Sequence, residues 1–296
     1  MRLVYTENIH SLMLPSGHKF PLGKYDRIHA ELAADHAELL TLGAPATLAD
    51  VCLVHEPSYV TDVRQGTLSA VAIRRLGFPW SESLVVRAMR SVGGTLAALE
   101  WAMQFGAAGH IAGGTHHAFR DRGEGFCVFN DLAVGAAVAM RDHGARRVAI
   151  VDLDVHQGNG TAAIFADEPR VFCLSVHASK NYPFEKARGT MDVALPDDVS
   201  DEGYLAALDQ ALAAVRAHLP DVIFYQSGVD CLAGDRLGRM CLSHETLRAR
   251  NARVYALARA LHVPLVVTLG GGYGRDIERT VRAHVDVYRG LVSAFR

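Results

Sequence analysis

The chain lacks the features that mark membrane, secreted and nucleic-acid-binding proteins. No apolar run approaches the roughly 18 residues that cross a bilayer, and the N-terminus has no apolar signal core. The five cysteines are odd in number and include no C-x-x-C pair, which argues against a disulfide framework and a thiolate zinc site. The formal charge of −2 gives no electrostatic basis for binding nucleic acid or membranes. We therefore expect a cytoplasmic protein with reduced thiols.

The sequence also lacks any internal division. Its 296 residues contain no Pro-rich or Gly/Ser-rich linker, no repeat and no low-complexity tract. Hydrophobic residues make up 50% of the chain, as in ordinary globular proteins that bury a core. A single domain over residues 1–296 is predicted, because α/β folds of this size are often single domains. The sequence leaves homo-oligomerisation open.

Strand-like and helical segments alternate along the chain. Strands are predicted at residues 3–5 and 49–55, at the start of 148–160, and at 171–176, 222–226 and 264–269. Helices are predicted at 26–40, 83–105, 132–142, 161–165, 200–218 and 243–261 and after Tyr273, with Asn130, Ser200 and Ser243 as N-caps. This alternation indicates a three-layer α/β fold with a central, mainly parallel sheet flanked by helices. Gly93 and Gly94, inside a predicted helix, suggest close backbone packing there.

Residues 148–160 end a predicted strand in a row of polar groups, reading V-A-I-V-D-L-D-V-H-Q-G-N-G. Asp152, Asp154 and His156 stand at alternate positions, so an extended chain would place them on one face. Such groups are costly to bury without partners. We therefore expect a metal ion to hold them.

Polar residues follow other apolar segments in the same way. In parallel sheets, binding sites collect beyond the carboxyl ends of the strands, which predicts that these groups converge. The groups are His116 and His117, Asp154 and His156, Asp230, and Tyr273. One imidazole and two carboxylates suit a catalytic zinc site that uses three protein ligands. The histidine pair and the tyrosine are then available as proton acceptor and oxyanion donor.

Five motifs in order resemble those of the zinc-dependent histone deacetylase family, including its bacterial and class IV-type members. They read G-G-T-H-H-A, G-E-G-F-C-V-F-N-D, D-L-D-V-H-Q-G-N-G, S-G-V-D-C-L-A-G-D and L-G-G-G-Y, and the resemblance runs from about Val51 to the C-terminus. It implies an arginase-like fold and a hydrolase that removes acetyl or related acyl groups from the ε-amine of lysine in peptides or proteins. It also implies one catalytic Zn²⁺ and a structural K⁺.

The resemblance further implies a role for each matching residue. The zinc ligands are matched by Asp154, His156 and Asp230. His117 matches the general base that later protonates the leaving amine, and His116 matches its electrostatic partner, tied to the carboxylate that matches Asp152. Tyr273 matches the donor to the acetyl carbonyl. The potassium site is matched by Asp152, Asp154, His156, Ser175 and Val176.

The expected site also includes residues that line a substrate channel. Two further positions depart from the family pattern. Phe126, beside Gly125, and Phe184 match an aromatic pair that walls a channel for the acyl-lysine stem. Asn159 stands behind His117 where some branches carry Asp, and a neutral amide raises the histidine pKa less than a carboxylate would. Leu237 occupies a rim position where the polyamine-selective branch carries Glu, which weakens the case for acetylpolyamines.

Three other interpretations are weighed against this one. The chain could hydrolyse acetylated small amines such as acetylpolyamines, or it could bind acyl-lysine without catalysis. A two-metal ureohydrolase would need more carboxylate ligands than the single triad visible here. Taken alone, Asp230 could be a turn residue and Asp152 a cap of the following turn. His10, His55 and His177 are interpreted as structural or surface residues.

Overall fold

The computed structural model describes residues 1–6 and 12–296 and is built on one sheet. Its strands are β1 Arg2–Tyr5, β2 Leu40–Leu42, β3 Ala107–His110, β4 Val148–Asp152, β5 Val171–Ala178, β6 Met191–Leu195, β7 Val222–Gln226 and β8 Leu265–Thr268. They form an eight-stranded sheet in the order β2-β1-β3-β8-β7-β4-β5-β6. Every neighbouring pair is parallel. The prediction of a mainly parallel sheet is confirmed.

Helices cover the sheet on two sides. They are α1 Lys24–His36, α2 Leu48–Val51, α3 Pro57–Gln65, α4 Ala70–Leu76, α5 Glu82–Phe105, α6 Asp131–Asp142, α7 Asn159–Ile164, α8 Asp201–His218, α9 His244–Leu261 and α10 Ile277–Phe295. Helices α1, α10, α9 and α8 contact one another in series, whereas α5 packs against α6. Strands β4, β7 and β8 are buried throughout between these layers. Their continuous apolar sequences are typical of strands covered on both faces.

The predicted N-caps lie where the helices begin. The side chain of Asn130 accepts from the Ala133 amide, that of Ser200 from Gly203 and that of Ser243 from Thr246. Each such cap satisfies an amide that has no partner inside its helix, and is worth about 1 kcal/mol.

Gly93 and Gly94 lie where α5 packs closely against neighbouring segments. A Cβ on Gly93 would lie 2.0 Å from the Ala44 carbonyl oxygen, and one on Gly94 would lie 2.2 Å from Nε2 of His110. Neither distance leaves room for a side chain. The predicted close packing of this helix is confirmed.

Some predicted elements are wrong or incomplete. Residues 49–55 do not form a strand, because Thr47 caps helix α2 by accepting from the Asp50 amide, and turns follow. The helix predicted at 26–40 ends at His36, and a 3₁₀ turn at Ala37–Leu39 leads into β2. Strand β3, with the sequence A-A-G-H, was not predicted because it has no β-branched or large aromatic residue.

The remaining predictions concern cysteines, histidines and membrane spans. All five cysteines are free, and Cys127, Cys173 and Cys231 are buried. His55 is buried between two backbone groups: Nδ1 bonds the Phe119 carbonyl and Nε2 accepts from the Asn130 amide. His177 is also buried, whereas His10 lies outside the described residues. Within 1–6 and 12–296, no helix is both long enough and apolar enough to cross a membrane.

Candidate functional site

The predicted polar residues meet at the carboxyl ends of four neighbouring strands. Strands β3, β8, β7 and β4 lie side by side in the middle of the sheet. The loops after them carry His116 and His117, Tyr273, Asp230, and Asp154 and His156, in that strand order. A cavity of about 470 Å³ opens onto all of these residues except Asp230, which lies fully buried behind it. The expected convergence follows directly from parallel strand order.

Asp154, His156 and Asp230 form a compact group of potential metal ligands. All three are buried, and one ligand atom from each can be chosen so that the three lie within 4.8 Å of one another. Nδ1 of His156 is 2.9 Å from Oδ1 of Asp154 and 3.1 Å from Oδ2 of Asp230. Ligands about 2.0–2.1 Å from a tetrahedral ion are about 3.3 Å apart, so these spacings suit zinc with little adjustment.

The electrostatics of the group also fit a cation. Burial lowers the pKa of His156, but hydrogen bonds and charges from both carboxylates outweigh it and raise the pKa to about 10. Burial raises the pKa of Asp230, and the charge of Asp154 raises it further. Two buried carboxylates this close to each other can both stay ionised only with positive charge between them. Two carboxylates and an imidazole are a donor set that zinc accepts.

Backbone and amide groups hold the two carboxylates in place. Oδ2 of Asp154 accepts from Nε2 of Gln226 and from the Gly271 amide, each at 2.8 Å. Oδ1 of Asp230 accepts from the Val155 amide at 2.9 Å. A Cβ on Gly271 would lie 2.0 Å from Oδ2 of Asp230, so only glycine fits beside this carboxylate. These contacts fix the orientation of both carboxylates, as a metal site would require.

A buried arginine ties the two ligand-bearing loops together. Arg250, on α9, is fully buried and donates to the carbonyl oxygens of Leu153, Ser227 and Gly228 at 2.8–3.1 Å. The loop after β4 and the loop after β7 are therefore held by one guanidinium, whose planar set of donors suits several carbonyls at once.

His116 pairs with Asp152, as the resemblance implied. Nδ1 of His116 lies 2.6 Å from Oδ2 of Asp152, and both side chains are buried. Burial lowers the pKa of His116, but the charges of Asp152 and Asp154 and the hydrogen bond with Asp152 raise it to about 9. A Cβ on Gly158 would lie 2.3 Å from Oδ2 of Asp152, so this glycine allows the close pairing. His116 therefore holds a proton tightly.

His117 has the opposite environment. Its Nδ1 lies 2.6 Å from Oδ1 of Asn159, and Nδ2 of Asn159 donates to Oε1 of Glu124 at 2.7 Å. Because an amide oxygen can only accept, Nδ1 of His117 carries the proton and Nε2 keeps its lone pair. Burial, with the charges of His116 and His156, holds the pKa of His117 well below its ordinary value. His117 is therefore a neutral base next to a protonated histidine.

Glu124 is a site residue that the motif alone did not indicate. It is buried, and its Oε1 also accepts from the hydroxyl of Tyr182 at 2.7 Å. The Tyr182 ring stands edge-on to His117 with 5.1 Å between ring centroids. The carboxylate thus fixes which end of the Asn159 amide faces His117. It also helps to position one wall of the cavity.

Replacing Glu124 by leucine is expected to lower the kcat of a reaction catalysed at this site by about 10–10²-fold, with little loss of any metal bound there, the effect typical of groups that orient active-site residues. The Asn159 amide would lose the acceptor that distinguishes its oxygen from its nitrogen, and the His117 tautomer would no longer be fixed. Glu124→Gln keeps a carbonyl acceptor and should recover part of the rate. Steady-state kinetics and metal analysis check this.

A double mutant gives the control for Glu124. If Glu124 acts through Asn159, adding Glu124→Leu to Asn159→Leu should cost little beyond the Asn159 change alone. Fully additive losses in kcat would contradict the claim that Glu124 acts through Asn159.

Tyr273 lies at the end of a glycine loop that faces the ligands. Its amide donates to Oδ2 of Asp235 at 2.6 Å, and its carbonyl accepts from Arg236 at 2.8 Å. Gly270 has φ +70°, and a Cβ there would lie 2.6 Å from Oε1 of Gln226. Burial and the charges of Asp154 and Asp230 raise the pKa of Tyr273 well above its ordinary value. The phenol keeps its proton and can donate it in a hydrogen bond.

Lys24 was also missed, although the sequence held a signal for it. The residue is buried at the start of α1, on the same face as buried Ile28 and Leu32, and this spacing of four marks a core-facing position. Its Nζ lies 3.2 Å from the Gly270 carbonyl oxygen and 3.4 Å from that of Gly272. Burial lowers the pKa of Lys24 to about 8, against the effect of nearby carboxylates. Lys24 therefore supports the loop that carries Tyr273.

The expected channel residues line the cavity at different depths. Phe126 has φ +67° and packs against the rings of Phe20, Phe78 and Tyr273 along the inner wall. Gly125 has φ +55°, and a Cβ on it would lie 2.6 Å from Cδ2 of His117. Phe184 and Leu237 also line the cavity, but Phe184 is 84% exposed and lies at its mouth. The ring that faces His117 from within is that of Tyr182, which was not predicted.

Comparisons with known proteins show which family the chain resembles. The profile described as the histone deacetylase domain matches residues 18–288. Histone deacetylase 2 of Arabidopsis thaliana is 30% identical over 286 residues, which cover 91% of this chain and 73% of the plant protein. The acetoin utilization protein AcuC of Bacillus subtilis is 30% identical over 305 residues, which cover 94% and 78% of the two chains. An uncharacterised protein of a Picosynechococcus strain is 41% identical over 280 residues, and the alignment covers 93% of each chain.

Solved structures confirm the fold. The crystal structure of a histone deacetylase homolog from Aquifex aeolicus matches with a TM-score of 0.85 at 26% identity, covering 99% of this chain and 84% of that one. A homolog complexed with SAHA matches with a TM-score of 0.86 at the same 26% identity and the same coverage of each chain. The arginase/deacetylase-like fold expected from the motifs is therefore present. With a family profile over most of its length, the chain belongs to the histone deacetylase family of hydrolases.

Proposed function

We propose that the protein is a zinc-dependent hydrolase that removes acetyl, or a related acyl group, from the ε-amine of lysine in peptides or proteins. The observation that carries the proposal is the arrangement of His117 held by the Asn159 amide oxygen, Tyr273, and a group of three potential metal ligands at one cavity. Zn²⁺ held by Asp154, His156 and Asp230 would polarise the acyl carbonyl and make a water more acidic. Two carboxylate ligands moderate that effect, so the chain must supply a base and an oxyanion donor.

His117 and Tyr273 supply these two functions in the proposal. Nε2 of His117 takes a proton from the attacking water as its oxygen bonds to the carbonyl carbon. The Tyr273 hydroxyl donates to the carbonyl oxygen as negative charge develops there. The C–N bond then breaks, and the proton on Nε2 of His117 passes to the leaving lysine amine. The products are a free lysine side chain and a carboxylate.

His116 and Asp152 serve a different purpose in the proposed reaction. Their buried pair keeps positive charge beside His117. That charge lowers the proton affinity of His117 and so favours return of the proton to the amine. The ring centroids of His116 and His117 are 4.1 Å apart, close enough for this effect.

The apolar lining of the cavity supports binding of the stem of a lysine side chain. Gly125, Phe126, Tyr182 and Leu237 are partly buried in this lining, and Phe184 is exposed. Mainly apolar pockets with a few polar groups are typical of small-ligand sites. We also propose, from the resemblance alone, a structural K⁺ near Asp152 and Ser175, which are paired in register on β4 and β5.

A substrate panel tests the proposal and its alternatives. An acetyl-lysine peptide should be hydrolysed with a higher kcat/KM than acetylated polyamines under identical conditions, because Leu237 offers no carboxylate to a second amine. The reverse ranking would assign the protein to small acetylated amines. Binding of the peptide without hydrolysis would favour the non-catalytic interpretation.

A further inference from the structure

The mouth of the cavity is lined by cations from four separate segments. Lys19, Arg75, Lys180 and Arg239, called here the rim cations, all line the cavity and are all exposed. Lys19 precedes α1, Arg75 lies on α4, Lys180 follows β5, and Arg239 lies in the loop between β7 and α9. They therefore reach the cavity from four different segments and do not belong to one element.

The entrance has no comparable negative charge. Among the described residues that line the cavity, the single acidic one is Asp154, which is buried in the metal group. Arg239 pairs with Asp197 at 2.7 Å. In the described part of the chain, Lys19, Arg75 and Lys180 form no ion pair with any carboxylate. Glu185 is exposed beside Phe184 but does not line the cavity.

This positive entrance contrasts with the protein as a whole. The formal charge of the chain is −2, so the positive rim is a local feature. A mouth lined by charges of one sign raises the local concentration of ligands of the opposite sign. In an extended peptide, residues one or two positions from a bound lysine lie within about 7 Å of it. Flanking side chains would therefore meet the rim cations while the acyl-lysine stem fills the channel.

We propose that the rim cations select acyl-lysine sites flanked by aspartate or glutamate, so that the preferred substrate is an acidic protein segment. This inference rests on the proposed deacylase function. It implies that lysine-rich, basic segments and polycationic acetylated amines are poor substrates. The exposed Phe184 ring at the mouth adds an apolar contact that does not distinguish among them.

Three matched peptides test the proposal. Each carries one acetyl-lysine, flanked on both sides by two glutamates, two glutamines or two lysines. The glutamate peptide should exceed the glutamine peptide in kcat/KM by about 10-fold, mainly through KM, since exposed ion pairs contribute a factor of about two to five each. The lysine peptide should be slowest. Raising the ionic strength from about 0.05 to 0.5 M should shrink these differences, because salt screens exposed charges.

Charge-reversal variants test whether the rim cations cause the preference for the glutamate peptide. Lys180→Glu and Arg75→Glu should each lower the glutamate-to-lysine preference by about 5-fold or more. Arg74→Glu is the matched control, because Arg74 is exposed on the same helix as Arg75 but does not line the cavity. It should leave the preference unchanged. Equal kcat/KM for the three peptides, or a preference that survives both reversals, would overturn the proposal.

A binding measurement separates this proposal from the proposed function. Fluorescein-labelled versions of the peptides should bind the wild-type enzyme in the order glutamate, glutamine, lysine by fluorescence anisotropy. That order would support the rim proposal even if no peptide were hydrolysed, a result that would contradict only the deacylase function. Equal affinities would overturn the rim proposal alone.

Discussion

Replacing His117 by alanine is expected to lower kcat for acetyl-lysine hydrolysis by about 10²–10⁴-fold, the usual contribution of general acid–base catalysis. The loss should be large because this side chain both takes the proton of the water and returns it to the amine. Nδ1 of His117 is committed to Asn159 at 2.6 Å, so only Nε2 is available for the reaction. Among the described residues, the other two histidines that line the cavity are His116, which is paired with Asp152, and His156, which is a proposed metal ligand.

The His117 experiment needs evidence that the site is otherwise intact. Metal content should stay near that of the wild type, since His117 is not one of the three proposed ligands. Added imidazole should restore part of the rate by occupying the space left by the ring. A variant that retained at least half of the wild-type kcat would rule out His117 as the base.

Replacing Tyr273 by phenylalanine is expected to lower kcat by about 10²–10³-fold, comparable to the loss of an oxyanion-hole donor. The change removes only a hydroxyl from a residue whose backbone is fixed by Asp235 and Arg236, so the glycine loop should keep its shape. KM should change far less than kcat, because the hydrogen bond strengthens as charge develops on the carbonyl oxygen. Zinc content should be unchanged.

Tyr59→Phe is the matched control for Tyr273→Phe. Its buried hydroxyl donates to the Val128 carbonyl oxygen at 2.7 Å, and the residue does not line the cavity. This control should lose stability, by about 1 kcal/mol for a typical hydrogen bond, and keep a kcat within about 2-fold of the wild type. If the two changes lowered kcat equally, the proposed role of Tyr273 as the donor to the carbonyl oxygen would be contradicted.

The two adjacent histidines show how a site can separate acid and base roles. His116 and His117 have the same side chain and neighbouring positions, yet Asp152 faces one and Asn159 the other. The carboxylate raises the pKa of His116, whereas burial and nearby charge lower that of His117. Environments that push two pKa values apart are the usual way in which a fold assigns proton-transfer roles.

Much of this site could be predicted because its residues follow strands. Parallel strands deliver their carboxyl ends to one edge, so Asp154, His156, Asp230 and Tyr273 converge without any knowledge of side-chain packing. The helices beginning after Asn130, Ser200 and Ser243 were also predictable, because side-chain caps are local chemistry. The alternation of strand-like and helical segments, together with the N-cap residues, predicted most of the elements of the fold.

Two other features depend on contacts that no local pattern carries, and a third depends on local signals next to an apolar run. Glu124 stands between two glycines, and nothing near it in sequence indicates that it meets Asn159, 35 positions away. Strand β3 is held by its parallel neighbours β1 and β8 rather than by β-forming residues of its own. The run at 49–55 is apolar enough for a strand, but the cap at Thr47 and the proline that starts α3 favour short helices. For Glu124 and β3 tertiary contacts decided the outcome, whereas at 49–55 the cap and the proline are local signals that outweigh the apolar run.

The most direct test of the central claim is metal removal followed by zinc add-back on the wild-type enzyme. A chelator should abolish hydrolysis of the acetyl-lysine peptide as metal content falls toward zero. One equivalent of Zn²⁺ should restore the rate, whereas Asp154→Ala should stay inactive and bind zinc far more weakly. An enzyme shown by elemental analysis to be metal-free that still hydrolysed the peptide at the wild-type rate would contradict the account.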